Sequence, residues 1–191
     1  MKRWTGPLAV FLIAAIAAHA ATLAYAPNVI MDRALSALKN RGISEHAFTT
    51  PQRITPQTQA VVRSSPDLFY SLCRYDFAKV DGGAIRVTMG DWPHYQSLSF
   101  FDAQTNNFAT YRGTGKSASV LLISPDALNE SRNPSSPTMR GVVLIRRLAP
   151  TKSMFDQAAK AAQSDRCEPL PGIAEDMRNQ MKQSGKLGRE N

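Results

Sequence analysis

From Leu8 to Tyr25 the chain carries no charged side chain, and this stretch follows closely on the basic opening Met1-Lys2-Arg3. A basic start before an apolar run is the order of an export signal. As a helix, these eighteen residues span about 27 Å against a hydrocarbon core of about 30 Å, so the segment just reaches across a bilayer, the more so if Ala26 to Met31 continue it. Its composition pulls the other way. Nine of the nineteen residues from Leu8 to Ala26 are alanine, which inserts less strongly than leucine or phenylalanine, and Ala18-His19-Ala20 has the small-x-small form of a cleavage site. A retained anchor and a removed signal are the two main readings, and a buried soluble helix is the third. The anchor is favoured because Met31, Leu35 and Leu38 keep an i, i+4, i+7 apolar spacing up to Gly42, a natural helix stop.

Orientation is nearly balanced, with Lys2 and Arg3 on one side of the stretch and Arg33, Lys39 and Arg41 on the other. The short N-terminal flank favours a cytoplasmic start, which puts the rest of the chain on the periplasmic side of a bacterial inner membrane. In that oxidising compartment Cys73 and Cys167, the only cysteines, are expected to pair and to tie the last segment to an early strand; two unrelated buried thiols are the alternative.

With 191 residues, a net charge of +8 and 43% apolar residues, the chain is neither a disordered polymer, a disulfide-dense miniprotein nor a large multidomain enzyme. Four regions are expected: a signal anchor or signal peptide over 1–26, a juxtamembrane helix with a Pro-containing connector over 27–66, a β-rich domain with a C-terminal helix over 67–170, and a weak helix with a frayed tail over 171–191. Short β-like runs cover Leu68 to Phe77, Ala84 to Met89, Tyr95 to Phe101, Phe108 to Arg112, Ala118 to Ser124 and Val142 to Leu148, separated by turn signals such as Val80-Asp81-Gly82-Gly83. The expected fold is mainly β, an antiparallel sheet or sandwich of about six strands. Thr105-Asn106-Asn107 reads as a tight hairpin turn, with Asn106 and Asn107 supplying the positive φ angles. Asp126 to Thr138 reads as a long, mobile polar loop. Phe155, Ala158, Ala159 and Ala162 predict an amphipathic helix over Thr151 to Asp165 packed on the sheet, ended by the Pro-rich Glu168 to Gly172, with a weaker helix carrying Ile173, Met177 and Met181 beyond.

No catalytic signature stands out. Thr110 to Ser117 approaches a phosphate loop, but Thr110 replaces the first glycine and a strand-like run follows where a helix is required. Ser36-Ala37-Leu38-Lys39 matches S-x-x-K by chance, without a K-T-G partner. His94 reads as a loop residue beside Trp92, and His19, His46 and His94 are too dispersed with the cysteines for a metal site. Arg146-Arg147 is the only adjacent basic pair in the domain, and no interleaved aromatic pattern points to nucleic acid. No cofactor is implied.

Ser65-Pro66-Asp67-Leu68-Phe69-Tyr70-Ser71, then Tyr75-Asp76, then Pro93 through Phe108 with Asp102, Thr105, Asn106 and Phe108 at its end, resemble the domain-of-unknown-function family 1254 over roughly Ser65 to Leu148. Longer relatives add an Asn-rich lead into the Asp67 position and a second, C-terminal domain. The resemblance implies a β-rich fold and, for short forms, an N-terminal membrane segment; it supplies no settled chemistry. Within it, Asp102 suits the capping of a tight turn and Asp67 the entrance of a strand. The competing reading is a polar pocket of Asp67, Tyr70, Tyr95 and Asp102. The leading functional expectation is a membrane-tethered periplasmic module that binds an envelope protein or small-molecule ligand through an exposed apolar or aromatic patch, with Trp92 a candidate member. The alternative is an envelope hydrolase acting on a small molecule or saccharide, with Asp67 and Asp102 as acid and base and Tyr70 or Tyr95 positioning the substrate.

Overall fold

The computed structural model describes residues 4–53, 55, 64–127 and 133–170. The uncharged stretch lies within one helix, α1 (Thr5–Asn40), whose 36 residues reach about 54 Å. Leu8, Phe11, Ile13, Ile16 and Leu23 are each more than half exposed, so among the described residues this part of α1 finds no protein surface against which to bury its side chains. It is long and apolar enough to cross a membrane, a test that a signal sequence also passes. Pro27 sits inside the helix and removes one of its hydrogen bonds.

The last turns of α1 behave differently. Met31 and Leu35 are buried in a small cluster with Val142, joined by Leu38, Leu72 and Phe101, and Asp32 pairs with Arg140 at 3.2 Å. The apolar spacing read from Met31 to Leu38 therefore marks a docked face. Gly42 ends the helix at φ +76°, where the Gly42 N–H donates to Lys39 O at 2.9 Å and the Ile43 N–H to Leu38 O at 3.0 Å. A side chain at that φ would be strained, which is why glycine stands there.

Beyond Gly42 the chain runs along the edge of the first strand, β1 (Leu68–Asp76), bridging at Glu45 to Arg74 and at Thr49 to Leu72. His46 Nε2 accepts the Asp76 N–H at 3.1 Å, and Glu45 pairs with Lys79 at 2.6 Å and Arg74 at 3.5 Å. The Lys79 hydrogen bond holds the Glu45 carboxyl below its usual range.

The domain is a sandwich of two antiparallel sheets. The remaining strands are β2 (Ala84–Met89), β3 (Gln96–Asp102), β4 (Asn107–Arg112), β5 (Ala118–Ile123), β6 (Arg140–Leu148) and β7 (Arg166–Pro169). One sheet has the order β1-β6-β3-β4 and the other β5-β2-β7. Period-two alternation decides what lies between them. Cys73 and Tyr75 of β1, Val143 and Ile145 of β6, and Leu98 and Phe100 of β3 meet Ile85, Val87 and Met89 of β2, with Leu122 and Cys167. A Cβ at Gly141 would lie 2.1 Å from Phe101 O and 2.3 Å from Tyr75 Oη, so only glycine lets Tyr75 reach across β6 to donate to Phe101 O at 3.1 Å. Burial pushes the Tyr75 hydroxyl well above its usual pKa.

Six strands match the sequence reading to within two residues at most ends, and β7 is added. It escapes a pattern search because only Cys167 of its four residues is buried and Pro169 looks like a terminator. Helix α2 (Lys152–Ala161) continues as a 3-10 turn, Ala162–Ser164, close to the expected span. Thr151 Oγ1 caps it by accepting the Met154 N–H at 3.2 Å, and Phe155 packs edge-on against Phe69 at 4.9 Å. Part of the loop expected to be mobile is pinned: Ser135 bridges Ile123, and the buried Ser136 Oγ lies 2.9 Å from Tyr75 Oη. Residues 128–132 of that loop, the weak helix at Ile173 to Met181 and the tail lie outside the described residues.

The Cys73–Cys167 disulfide joins β1 to β7, one sheet to the other, at a sequence separation of 94. The chain-entropy relation credits such a loop with about 4 to 5 kcal/mol, so replacing both cysteines by alanine should lower urea-unfolding stability by up to that amount. A second expectation concerns His46, whose pKa burial depresses below 6.5 while the neutral Nε2 accepts the Asp76 N–H. The unfolded chain then binds the proton more readily, so stability is complete above the unfolded pKa and declines as pH falls through it toward the folded value. The thermal midpoint should drop between pH 7.5 and 5, and His46→Gln, which keeps an acceptor without the titration, should flatten that part of the curve.

Candidate functional site

The four residues of the expected polar pocket do not come together. Asp67 is exposed just before β1, its N–H donating to Ser65 Oγ at 3.3 Å. Asp102 is fully buried at the opposite end of the sheet. Leu68 pairs with Leu148 and Asp102 with Gly141, seven residues apart on β6, which separates the two carboxylates by about 24 Å. Asp102 is also saturated. Its Oδ1 accepts the Gln104 N–H at 2.8 Å and the Asn106 N–H at 2.9 Å, and its Oδ2 accepts from Asn106 Nδ2 at 2.9 Å. This is the turn-capping role, and it leaves no pair of carboxyls to work as acid and base. The turn differs in one respect from expectation: the positive φ falls on Thr105, at 68°, and on neither Asn106 nor Asn107. Asp102 binds Asn106 through both its N–H and its side chain, which forces the left-handed residue one position earlier.

The phosphate-loop resemblance is excluded by context, since Ala118–Ile123 is strand. Trp92 is buried beneath α2 and is unavailable to a surface patch, while His94 is exposed with its ring 5.5 Å from that of Trp92. Among the described residues no group of three or more His, Cys, Asp or Glu is disposed to hold a metal.

Two features were missed by sequence reasoning, and both come from Arg146-Arg147. Alternation sends these neighbours to opposite faces of β6. Arg147 points inward and is fully buried, donating from Nη1 to Asp165 Oδ2 at 2.8 Å and from Nη2 to Asp165 Oδ1 at 2.6 Å. Ser71 Oγ donates to Oδ2 at 2.9 Å and the Gly90 N–H to Oδ1 at 3.0 Å, so the carboxylate is filled from β1, β6 and the segment after β2. Gln96, beside Arg147 in register, donates to Gly90 O at 3.2 Å. Trp92 Nε1, Gln96 Oε1 and Arg147 Nε are buried without a partner. With every carboxylate lone pair directed at a donor, Asp165 is a clamp rather than a base. The signal was present in the sequence: an arginine in phase with Gly141, Val143 and Ile145 must find an acid inside.

Arg146 points outward, on the face where α1 docks. The register makes one row of Tyr70, Arg146, Ser97 and Arg112 across four strands. Arg146 is half-buried and Arg112 exposed, and neither side chain makes an ion pair or hydrogen bond among the described residues. Ser97 between them is 2% exposed, and Tyr95, 46% exposed, donates its hydroxyl to Ser97 Oγ at 3.3 Å. Tyr70 Oη accepts the Ser65 N–H at 3.1 Å. Thus the two tyrosines of the expected pocket do share a face, with two arginines in place of the two aspartates.

Residues 46–169 match the model of the family described as "Protein of unknown function (DUF1254)". No curated protein matches the chain. Among solved structures, the VPA0106 protein of Vibrio parahaemolyticus superposes with a TM-score of 0.55 at 13% identity, over 76% of this chain and 35% of that one. An uncharacterised protein from Burkholderia cenocepacia aligns at 12% identity with a TM-score of 0.41, over 65% of this chain and 34% of that one. The first of these shares the fold, and the chain spans about a third of the length of either.

The buried clamp generates a stability prediction with a sign. Asp165→Ala strands a guanidinium in the core and should cost about 3 to 5 kcal/mol in urea unfolding, whereas the double change Arg147→Met with Asp165→Leu should cost markedly less, because no charge is left unpaired.

Proposed function

The chain belongs to the DUF1254 family, and from that premise we propose that it is a membrane-tethered binding module of the bacterial envelope, its sandwich held on the periplasmic side by α1. The observation that carries this reading is the continuity of α1. One helix runs from an exposed apolar stretch into turns whose Met31 and Leu35 pack on the sandwich. Five residues separate Tyr25 from Met31, a rise of about 9 Å along the helix, so the domain stands close to the bilayer rather than on a long leash. The Asp32–Arg140 pair braces the joint, and the exposed Arg33, about 12 Å of helix beyond Tyr25, is the first basic side chain past the apolar stretch and the one nearest anionic head groups. Disulfide formation is consistent with an oxidising compartment.

A hydrolase would need two carboxyls at one site, whereas Asp67 and Asp102 sit at opposite ends of the sheet and Asp102 is engaged in its turn.

Alkaline phosphatase fused after the domain should be active in a bacterial host, the protein should stay in the membrane after a carbonate wash, and its intact mass should be that of the full chain less two daltons. A soluble product beginning after Ala20 would remove the tether, and an inactive fusion would reverse the orientation. Leu35→Asp should leave membrane retention unchanged while making the segment after Asn40 open to protease, since it breaks only the docked end.

A further inference from the structure

The geometry points to an acidic saccharide as the ligand of the row Tyr70–Arg146–Ser97–Arg112, with one carboxylate or phosphate held between the two guanidinium groups and a sugar ring against Tyr95. This deepens the binding role proposed above and rests on it.

Charge comes first. Arg146 and Arg112 flank Ser97 on neighbouring strands, so their backbones are about 10 Å apart on one face. Two long, like-charged side chains there repel each other, and each lacks an acidic partner among the described residues. The acids that neighbour this face are otherwise engaged: Asp76 accepts the Ala78 N–H and pairs with Lys79, Glu45 pairs with Lys79 and Arg74, and Asp32 pairs with Arg140. An anion bridging the guanidinium forks would supply the missing charge, and arginine suits planar oxyanions for that purpose.

The surroundings select a sugar. Tyr95 and Thr110 bring hydroxyls to this side of the sheet, Tyr95 bonded at 3.3 Å to the buried Ser97 Oγ and Thr110 at 3.1 Å to Ser99 Oγ one step along the sheet. Tyr95 exposes nearly half its surface, 46%, beside the row. An exposed aromatic ring beside hydroxyls fits the alternating CH and OH faces of a sugar, the amphipathic use to which tyrosine is suited. Shape selects an extended molecule over a bilayer. Helix α1, about 10 Å thick, stands on the same face at Val142, four residues along β6 from Arg146, and keeps a planar surface from lying against the row. A chain-like ligand can lie beside the helix.

The test is a titration of the full-length protein in neutral detergent with oligogalacturonate, against an uncharged cello-oligosaccharide of equal length, an oligothymidylate and phosphatidylglycerol vesicles. Saturable binding of oligogalacturonate alone, weakening with salt, is expected. Arg146→Gln and Arg112→Gln should each weaken it about tenfold or more, and Tyr95→Ala should weaken it as well. Arg86→Gln, which removes an exposed charge from the other sheet, should leave it unchanged. Unchanged thermal midpoints would certify that the variants fold. The proposal is overturned by no saturable binding, by an equal loss in Arg86→Gln, or by tighter binding of oligothymidylate or vesicles through the same arginines. The alkaline phosphatase fusion reports location independently, so a wrong compartment and a wrong ligand give different results.

Discussion

Everything inside the sandwich is arranged around the buried pair of Arg147 and Asp165. A guanidinium and a carboxylate taken out of water lose several kcal/mol of hydration each, and only close geometry with further hydrogen bonds recovers it. Here the recovery draws on Ser71 from β1, the Gly90 amide from the end of β2, and Asp165 itself from the junction between α2 and β7. Segments far apart in the chain must arrive together for the charges to be tolerated, which makes the pair a condition on the fold as a whole. Two residues later Cys167 enters β7 and bonds to Cys73, two residues beyond Ser71 on β1. The ion pair and the disulfide thus hold the same two segments at adjacent steps, one by charge and one covalently.

That interior leaves the outer face of the larger sheet free for other work. Alternation sends Arg146 and Arg147 of β6 to opposite faces, and the outer one is in register with Ser97 and Arg112 in a row without acids. The same face receives the end of α1 through Val142, Leu72 and Phe101. The docked end of α1 and the basic row are therefore parts of one surface, and their separation is set by the register of the sheet rather than by a flexible linker.

Much of the architecture was legible because it depends on local period. The strands from Leu68 to Leu148 declare themselves by β-branched and aromatic runs between turn residues, and α2 by the spacing of Phe155, Ala158, Ala159 and Ala162. The capping role of Asp102 was also legible, since an aspartate before a short turn has amides within reach. What failed needed information from across the sheet. Asp67 and Asp102 looked like partners on the chain, but their strands place them about 24 Å apart. Thr105 took the left-handed turn position from the asparagines because Asp102 held Asn106 from two sides. Strand β7 was hidden by its brevity.

The amino-acid sequence by itself determined the apolar leader, the β-rich class, six of the strands and the expectation that two cysteines would meet. Each of these is a property of neighbours along the chain or of a count. Only the tertiary structure decided that Arg146 and Arg147 part company, that Asp165 lies in the core, and that Tyr70 and Tyr95 share a face with arginines instead of aspartates. Those facts follow from strand register, and register is set by which apolar faces can be buried together, a property of the assembled sheets that no single segment contains.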